Sequence, residues 1–267
     1  MIKTFSSILK INVKQKLQFR TSAISGVCTQ LFFGFMQIFL YSSFLGQGIA
    51  EFSLSQMASY IWLQQAFYTM FHFFDNCKND ISKKIINGDI AYQLVRPINL
   101  YDYWFQTSMT KALGDFIMRG FILALIVVWL PSGLGLMMPS SALHFLLFVL
   151  SAMIGLLLIT SVKMIGYVLT MYTLSSQGVF SFIVAVATLL AGGVVPLPML
   201  PEKVQLIFSF FPFRYVSDLP FRIYIGNLDL IPALIQIGIQ IAWLVGLIII
   251  GKLVVKHKLK KIVVQGG

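Results

Sequence analysis

The sequence predicts an all-α integral membrane protein with six membrane-spanning helices. An amphipathic interfacial helix precedes the first span, and a re-entrant or interfacial helix pair lies between the fifth and sixth. Three observations point there. Of the 267 residues, 58% are hydrophobic and 11% charged, and the mean hydropathy is +0.85; soluble domains carry roughly a quarter charged residues. The apolar residues fall into runs close to the ~20 that a helix needs to cross a bilayer. The cations collect between alternate runs, as cytoplasmic loops do. The whole chain, 1–267, reads as one transmembrane domain.

Residues 1–21 form the amphipathic element. Ile2, Phe5, Leu9, Val13 and Leu17 recur at spacings of three and four, and Lys3, Lys10, Lys14, Lys16 and Arg20 cover much of the remainder. Such a helix lies flat among lipid headgroups. A cleaved signal peptide is disfavoured, because the next apolar run is too long for its core and no small-residue cleavage site stands out.

The first span is expected over 22–45, with a short far loop carrying Glu51, and the second over 54–74. A charged loop at 75–105 follows, holding Lys78, Lys83, Lys84 and Arg96. The third span covers roughly 107–130, and a turn at 131–141, free of charge and rich in Gly and Pro, leads to the fourth. The fourth begins near Ala142; Lys163 marks an inner boundary near Thr160, yet apolar residues continue to Leu174, so two endings stay open. The fifth span ends near Val195, residues 196–231 form the longest outer segment, and the last span covers about 232–251.

With the N-terminus inside, fifteen Lys and Arg fall on the cytoplasmic side against Lys203, Arg214 and Arg222 outside. That bias fixes both termini in the cytoplasm and requires an even number of crossings. The net charge of +11 is therefore topological; a nucleic-acid partner would need a solvated basic face with stacking aromatics. Cys28 and Cys77, one in a span and one in an inner loop, read as free thiols.

Catalytic signatures are missing. There is no phosphate-cradling P-loop, no H-E-x-x-H, no Cys–His metal cluster and no G-x-S-x-G elbow. No metal or cofactor is expected on the chain. His72 and Asp75 lie a turn apart at an inner span end, where a boundary histidine is the simpler reading. Lys111, Asp115 and Arg119 stand at i, i+4 and i+8 of the third span and share one face. Lys111 and Asp115 can snorkel to the boundary; Arg119, placed deeper, should face a helix, a partner or a wet cavity.

In the inner loop, Ile81 and Ile85 share one helical face, as do Ile86, Ile90 and Leu94, with Gly88 interrupting. Asp89 suits an N-cap, and the helix it starts must end before Pro97. A short helix there either floats at the interface or docks on a soluble partner. In the outer segment, Pro201 suits a first helical turn. Residues 204–211 are too short to span and too apolar for a free loop, so backbone there must be covered by protein or line a cavity.

The run INGDIAYQLVRPINLYDYW resembles the cytoplasmic loop of ABC-2 type ABC transporter permeases, in the branch with G-[DE]-x-x-x-x-L-x-[RK]-P. The run GGVVPLPMLPEKVQLIFSFFPFRYVSDLPFRIYIG resembles that family's stretch between its fifth and sixth spans. The order matches along nearly the whole chain, including the basic N-terminus. The resemblance implies a multi-pass permease of a bacterial plasma membrane. It would be half of an export pathway, completed by a second permease subunit, identical or related. Separate cytoplasmic P-loop ATPase subunits would carry ATP and Mg and drive it. A coupling helix containing Asp89, Ile90, Gln93, Leu94 and Arg96 would enter a groove on the ATPase. An extracellular gate containing Pro196, Pro198, Pro201, Pro212 and Phe213 would close the pathway. No importer-type EAA-x-x-x-G loop is present. An ion-coupled carrier would need midplane ionisable residues and broken helices, and a membrane enzyme a clustered nucleophile or metal set; neither pattern stands out.

Overall fold

The computed structural model describes residues 2–18, 20–45, 53–71, 80–94, 99–131 and 133–259, all helix and connecting turn with no strand among them. The helices are α1 (Ile2–Leu17), α2 (Arg20–Leu45), α3 (Leu54–Phe71), α4 (Asp80–Ile86), α5 (Ile90–Leu94), α6 (Leu100–Asp115), α7 (Phe121–Val128), α8 (Ala142–Thr173), α9 (Ser176–Leu190), α10 (Glu202–Ser209), α11 (Arg214–Tyr224) and α12 (Leu230–Leu259). A π-helical turn, Phe116–Gly120, joins α6 to α7 as one rod, and a 3₁₀ turn, Leu197–Met199, precedes α10. By length and hydropathy, α8, α12 and residues 21–44 of α2 qualify to cross a membrane, and α9 is a shorter apolar helix.

The spine is α8. It is apolar on all sides and two thirds buried over its most apolar stretch, because α4, α6, α9, α11 and α12 all pack on it. Ser141 caps its start by accepting from the His144 N–H, and Leu174 ends it in the left-handed region at φ 52°. Its 32 residues span about 48 Å at 1.5 Å per residue, some 18 Å more than a bilayer core. Lys163 is buried about 31 Å along the helix from Ala142. The helix runs on for ten residues beyond it, to Thr173, past the earlier of the two endings left open by the sequence. The buried face of α4, Ile81, Ser82 and Ile85, belongs to the element packed against α8.

Close approach between helices depends on glycine. A side chain at Gly120 would run into the Ala66 carbonyl of α3, and one at Gly155 would reach 2.5 Å from the Val216 carbonyl of α11. Pro220 lies one turn after Val216 and has no N–H to offer that carbonyl; α8 covers it at Gly155. The π turn lies at the crossing with α3, where the Phe67 and Phe116 rings sit 4.5 Å apart. There the Phe121 N–H reaches back five residues to the Phe116 carbonyl.

The amphipathic α1 packs along α6, with Asn12 donating to Thr110 Oγ1 at 3.0 Å in a buried contact. By contrast, α12 lies at the periphery with most of its surface exposed. Its buried Gln240 is the polar exception, donating to the carbonyls of Tyr215 at 2.7 Å and Ser151 at 2.9 Å.

Candidate functional site

Two short helices, α4 and α5, form a hairpin. Asn87, Gly88 and Asp89 make the turn, and Gly88 takes φ 79° with open space around its Cα, so the turn needs glycine for conformation and not for room. Ile90 is buried, and Asp89 and Gln93 are half-buried. Leu94 closes α5, and Arg96 lies outside the described residues, as do His72, Asp75 and Cys77. Ile86 is 42% exposed and Tyr92 77% exposed, so the hairpin presents an apolar edge outward. Its inner side is tied to the bundle: Trp104 Nε1 donates to Gln93 Oε1 at 2.9 Å. The buried Trp104 ring meets Tyr167 of α8 edge-on at 6.0 Å, and Tyr167 meets Phe180 of α9 at 5.3 Å. Packed aromatic rings thus run from α6 through α8 to α9, and Gln93 of α5 is hydrogen-bonded to the first of them.

The triad Lys111, Asp115 and Arg119 divides between two elements. Lys111 and Asp115 belong to α6 and are half-buried; Arg119 belongs to the π turn. Its guanidinium Nη2 donates to Ser22 Oγ at 3.0 Å, and its stem lies against Gly26. Ser22 is in the first turn of α2, so this charge reaches toward the start of that helix.

The segment at 196–231 holds a buried cluster that the sequence reading left unmarked. Asp218 of α11 is fully buried. It accepts from Tyr60 of α3 at 2.8 Å, from Arg214 Nε at 3.3 Å, and from Arg222 Nε at 2.9 and 3.1 Å through its two oxygens. The arginines then reach α10. Arg222 Nη2 donates to Gln205 Oε1 at 2.7 Å, and Arg214 Nη1 to the Gln205 carbonyl at 3.2 Å. Gln205 in turn donates to the Leu200 carbonyl at 2.7 Å. One carboxylate therefore joins α3, α10 and α11. Residues 214, 218 and 222 have the same i, i+4, i+8 spacing as 111, 115 and 119, so the signal was present in the sequence; reading the segment mainly from its prolines hid it.

The prolines frame this cluster. Pro196 is buried before the 3₁₀ turn, Pro198 lies within it, and exposed Pro201 immediately precedes α10. Pro212 is buried, and Phe213 stands just before α11. Phe213 also lines a small recess, open to the surface, with Gln64, Phe67, Thr188, Ser217 and Phe221. Its polar walls are satisfied: Gln64 donates to the Gly192 carbonyl at 2.9 Å and Ser217 to that of Ala191 at 3.1 Å. The outer turns are fastened too, Tyr224 donating to the Met137 carbonyl at 3.0 Å and Tyr41 to that of Val194 at 2.9 Å. Among the described residues no group of His, Cys, Asp or Glu could hold a metal ion.

The model of a family described as ABC-2 family transporter protein matches residues 26–266. No curated protein matches the chain. The family match takes in nearly every element described above, so the chain belongs to the ABC-2 transporter family and is a transmembrane transport permease.

Proposed function

We infer from this membership that the chain is one half of an ATP-driven export pathway and draws its energy from a separate cytoplasmic P-loop ATPase carrying ATP and Mg. Six crossings bring both termini to the cytoplasm of a bacterial cell: α2, α3, the rod at 100–128, α8, α9 and α12. A second permease subunit, identical or related, completes the pathway. The 196–231 segment is its extracellular gate, with α10 and α11 as a re-entrant pair.

One observation carries this reading. The α4–α5 hairpin has an outward edge of Ile86 and Tyr92 and an inward tether from Gln93 to Trp104. A surface loop serving only as a connection needs neither. A hairpin that receives force needs both, one side for the motor and one fixed to the helices that move. The aromatic contacts from Trp104 through Tyr167 to Phe180 give that force a packed route to α8 and the start of α9.

Affinity purification of the chain from its own membrane in mild detergent tests the assignment. A P-loop ATPase is expected to co-purify, and replacing Asp89 and Leu94 together should weaken its capture while the bundle stays folded. Transport by the reconstituted chain with no ATPase present would overturn it.

A further inference from the structure

The two short helices of the 196–231 segment are held in opposite ways. α11 buries nine of its eleven residues and packs on α3, α8 and α12. Polar contacts add to that hold. Its Tyr215 carbonyl accepts from Gln240 at 2.7 Å, and Ser217 and Tyr224 donate to the carbonyls of Ala191 and Met137. α10 buries none of its eight residues. A packed face supplies most of the stability of a helix in a protein, and α10 has no such face.

Among the described residues, three hydrogen bonds join α10 to α11. Tyr215 donates to the carbonyl of Ser209, the last residue of α10, at 2.9 Å. The other two converge on Gln205. Arg222 Nη2 donates to its side-chain oxygen at 2.7 Å and Arg214 Nη1 to its carbonyl at 3.2 Å. Asp218 holds the same two arginines from within α11, and Tyr60 of α3 bonds to Asp218. Releasing Gln205 therefore breaks two contacts with neutral oxygens and leaves both ion pairs of α11 intact. The ends of α10 are marked off as well. Pro201 precedes its first turn, and the Phe211 N–H turns back to Phe208 while α11 begins from the Pro212 carbonyl. With its own hydrogen-bond ladder, α10 can open as a separate unit.

We propose that α10 is a hinged flap between Pro201 and Pro212, latched shut by Gln205 on Arg214 and Arg222, while α11 stays fixed in the bundle. This inference rests on the reading of 196–231 as the gate and narrows the gate to one moving helix. Asp218 and Tyr60 keep the arginines in place as the fixed half of the latch, so that Gln205 returns to the same two donors each time the flap closes.

Hydrogen exchange read by mass spectrometry on the full chain in phosphatidylcholine nanodiscs tests the latch. Two variants push it in opposite directions. Gln205→Leu removes the acceptor for Arg222, whereas Gln205→Glu replaces it with a carboxylate, whose hydrogen bonds are roughly twice as strong. Both lose the bond from Gln205 to the Leu200 carbonyl, so the difference between them reports the arginine contact alone. In the parent, the amides of 204–211 are expected to exchange faster than those of 215–224. Gln205→Leu should speed exchange in 204–211 roughly tenfold, the loss of one hydrogen bond to a charged group. Gln205→Glu should exchange there at least tenfold more slowly than Gln205→Leu. Residues 215–224 should match the parent in both, and monodispersity shows that each variant is folded. Equal exchange of 204–211 in the two variants, or acceleration of 215–224 in step with 204–211, overturns the proposal. The measurement uses neither ATPase nor cargo. A failed ATPase capture therefore leaves its result standing, and a rigid α10 removes the flap while leaving the segment free to gate as a whole.

Discussion

Trp104 donates its indole N–H to the side-chain oxygen of Gln93 at 2.9 Å. This bond ties the short α5 helix to the rod formed by α6, the π turn and α7. Its loss should loosen the hairpin without unfolding the bundle. Gln93→Leu and Trp104→Phe are each expected to cost about 1 kcal/mol, and the double variant should cost little more than either alone. Thermal melting of the four proteins checks the coupling.

The glycine crossings give a contrast within one molecule. Gly120→Ala and Gly155→Ala drive a methyl group into backbone carbonyls of α3 and α11. Each should destabilise the protein by roughly 1–3 kcal/mol. Gly238 and Gly246 of α12 have open space at the same position, so their alanine variants should melt like the parent.

Asp218 should be far less tolerant of loss than its neighbours. Asp218→Ala leaves two buried guanidiniums without their carboxylate, an expected cost of about 3–5 kcal/mol. Tyr60→Phe removes one hydrogen bond to a charged group, about 1.5–3 kcal/mol. A triple variant replacing Arg214, Asp218 and Arg222 by Met or Leu should be more stable than Asp218→Ala alone, because it leaves no buried charge unpaired. Yield and melting temperature in detergent rank the three proteins.

Hydropathy located the helices because lipid-crossing segments must be long and apolar, and the starts of α3 at Leu54 and α8 at Ala142 fall where the apolar runs begin. Inner ends were harder. The rod's helix starts at Leu100, ahead of the apolar run near 107, and α12 covers its polar first turn, as the Lys252–Asp102 contact shows. The π turn left no mark, since its cause is a close approach to α3 at Gly120. Of the charges, Arg119 was singled out for its depth along the third span, yet its long side chain carries the guanidinium toward the start of α2. The fully buried carboxylate, Asp218, was passed over because burial depends on the neighbours it meets, and one of them, Tyr60, lies 158 residues away in the chain.

The central claim is that this permease receives its energy through the α4–α5 hairpin, on the cytoplasmic side. A photo-crosslinking amino acid at Tyr92, 77% exposed on α5, tests it in cells, with the same group at Trp129, 88% exposed at the outer end of the rod, as control. The account predicts a covalent adduct between position 92 and a P-loop ATPase, and none from position 129. An ATPase adduct from 129, or none from 92 in cells that assemble the transporter, would contradict it.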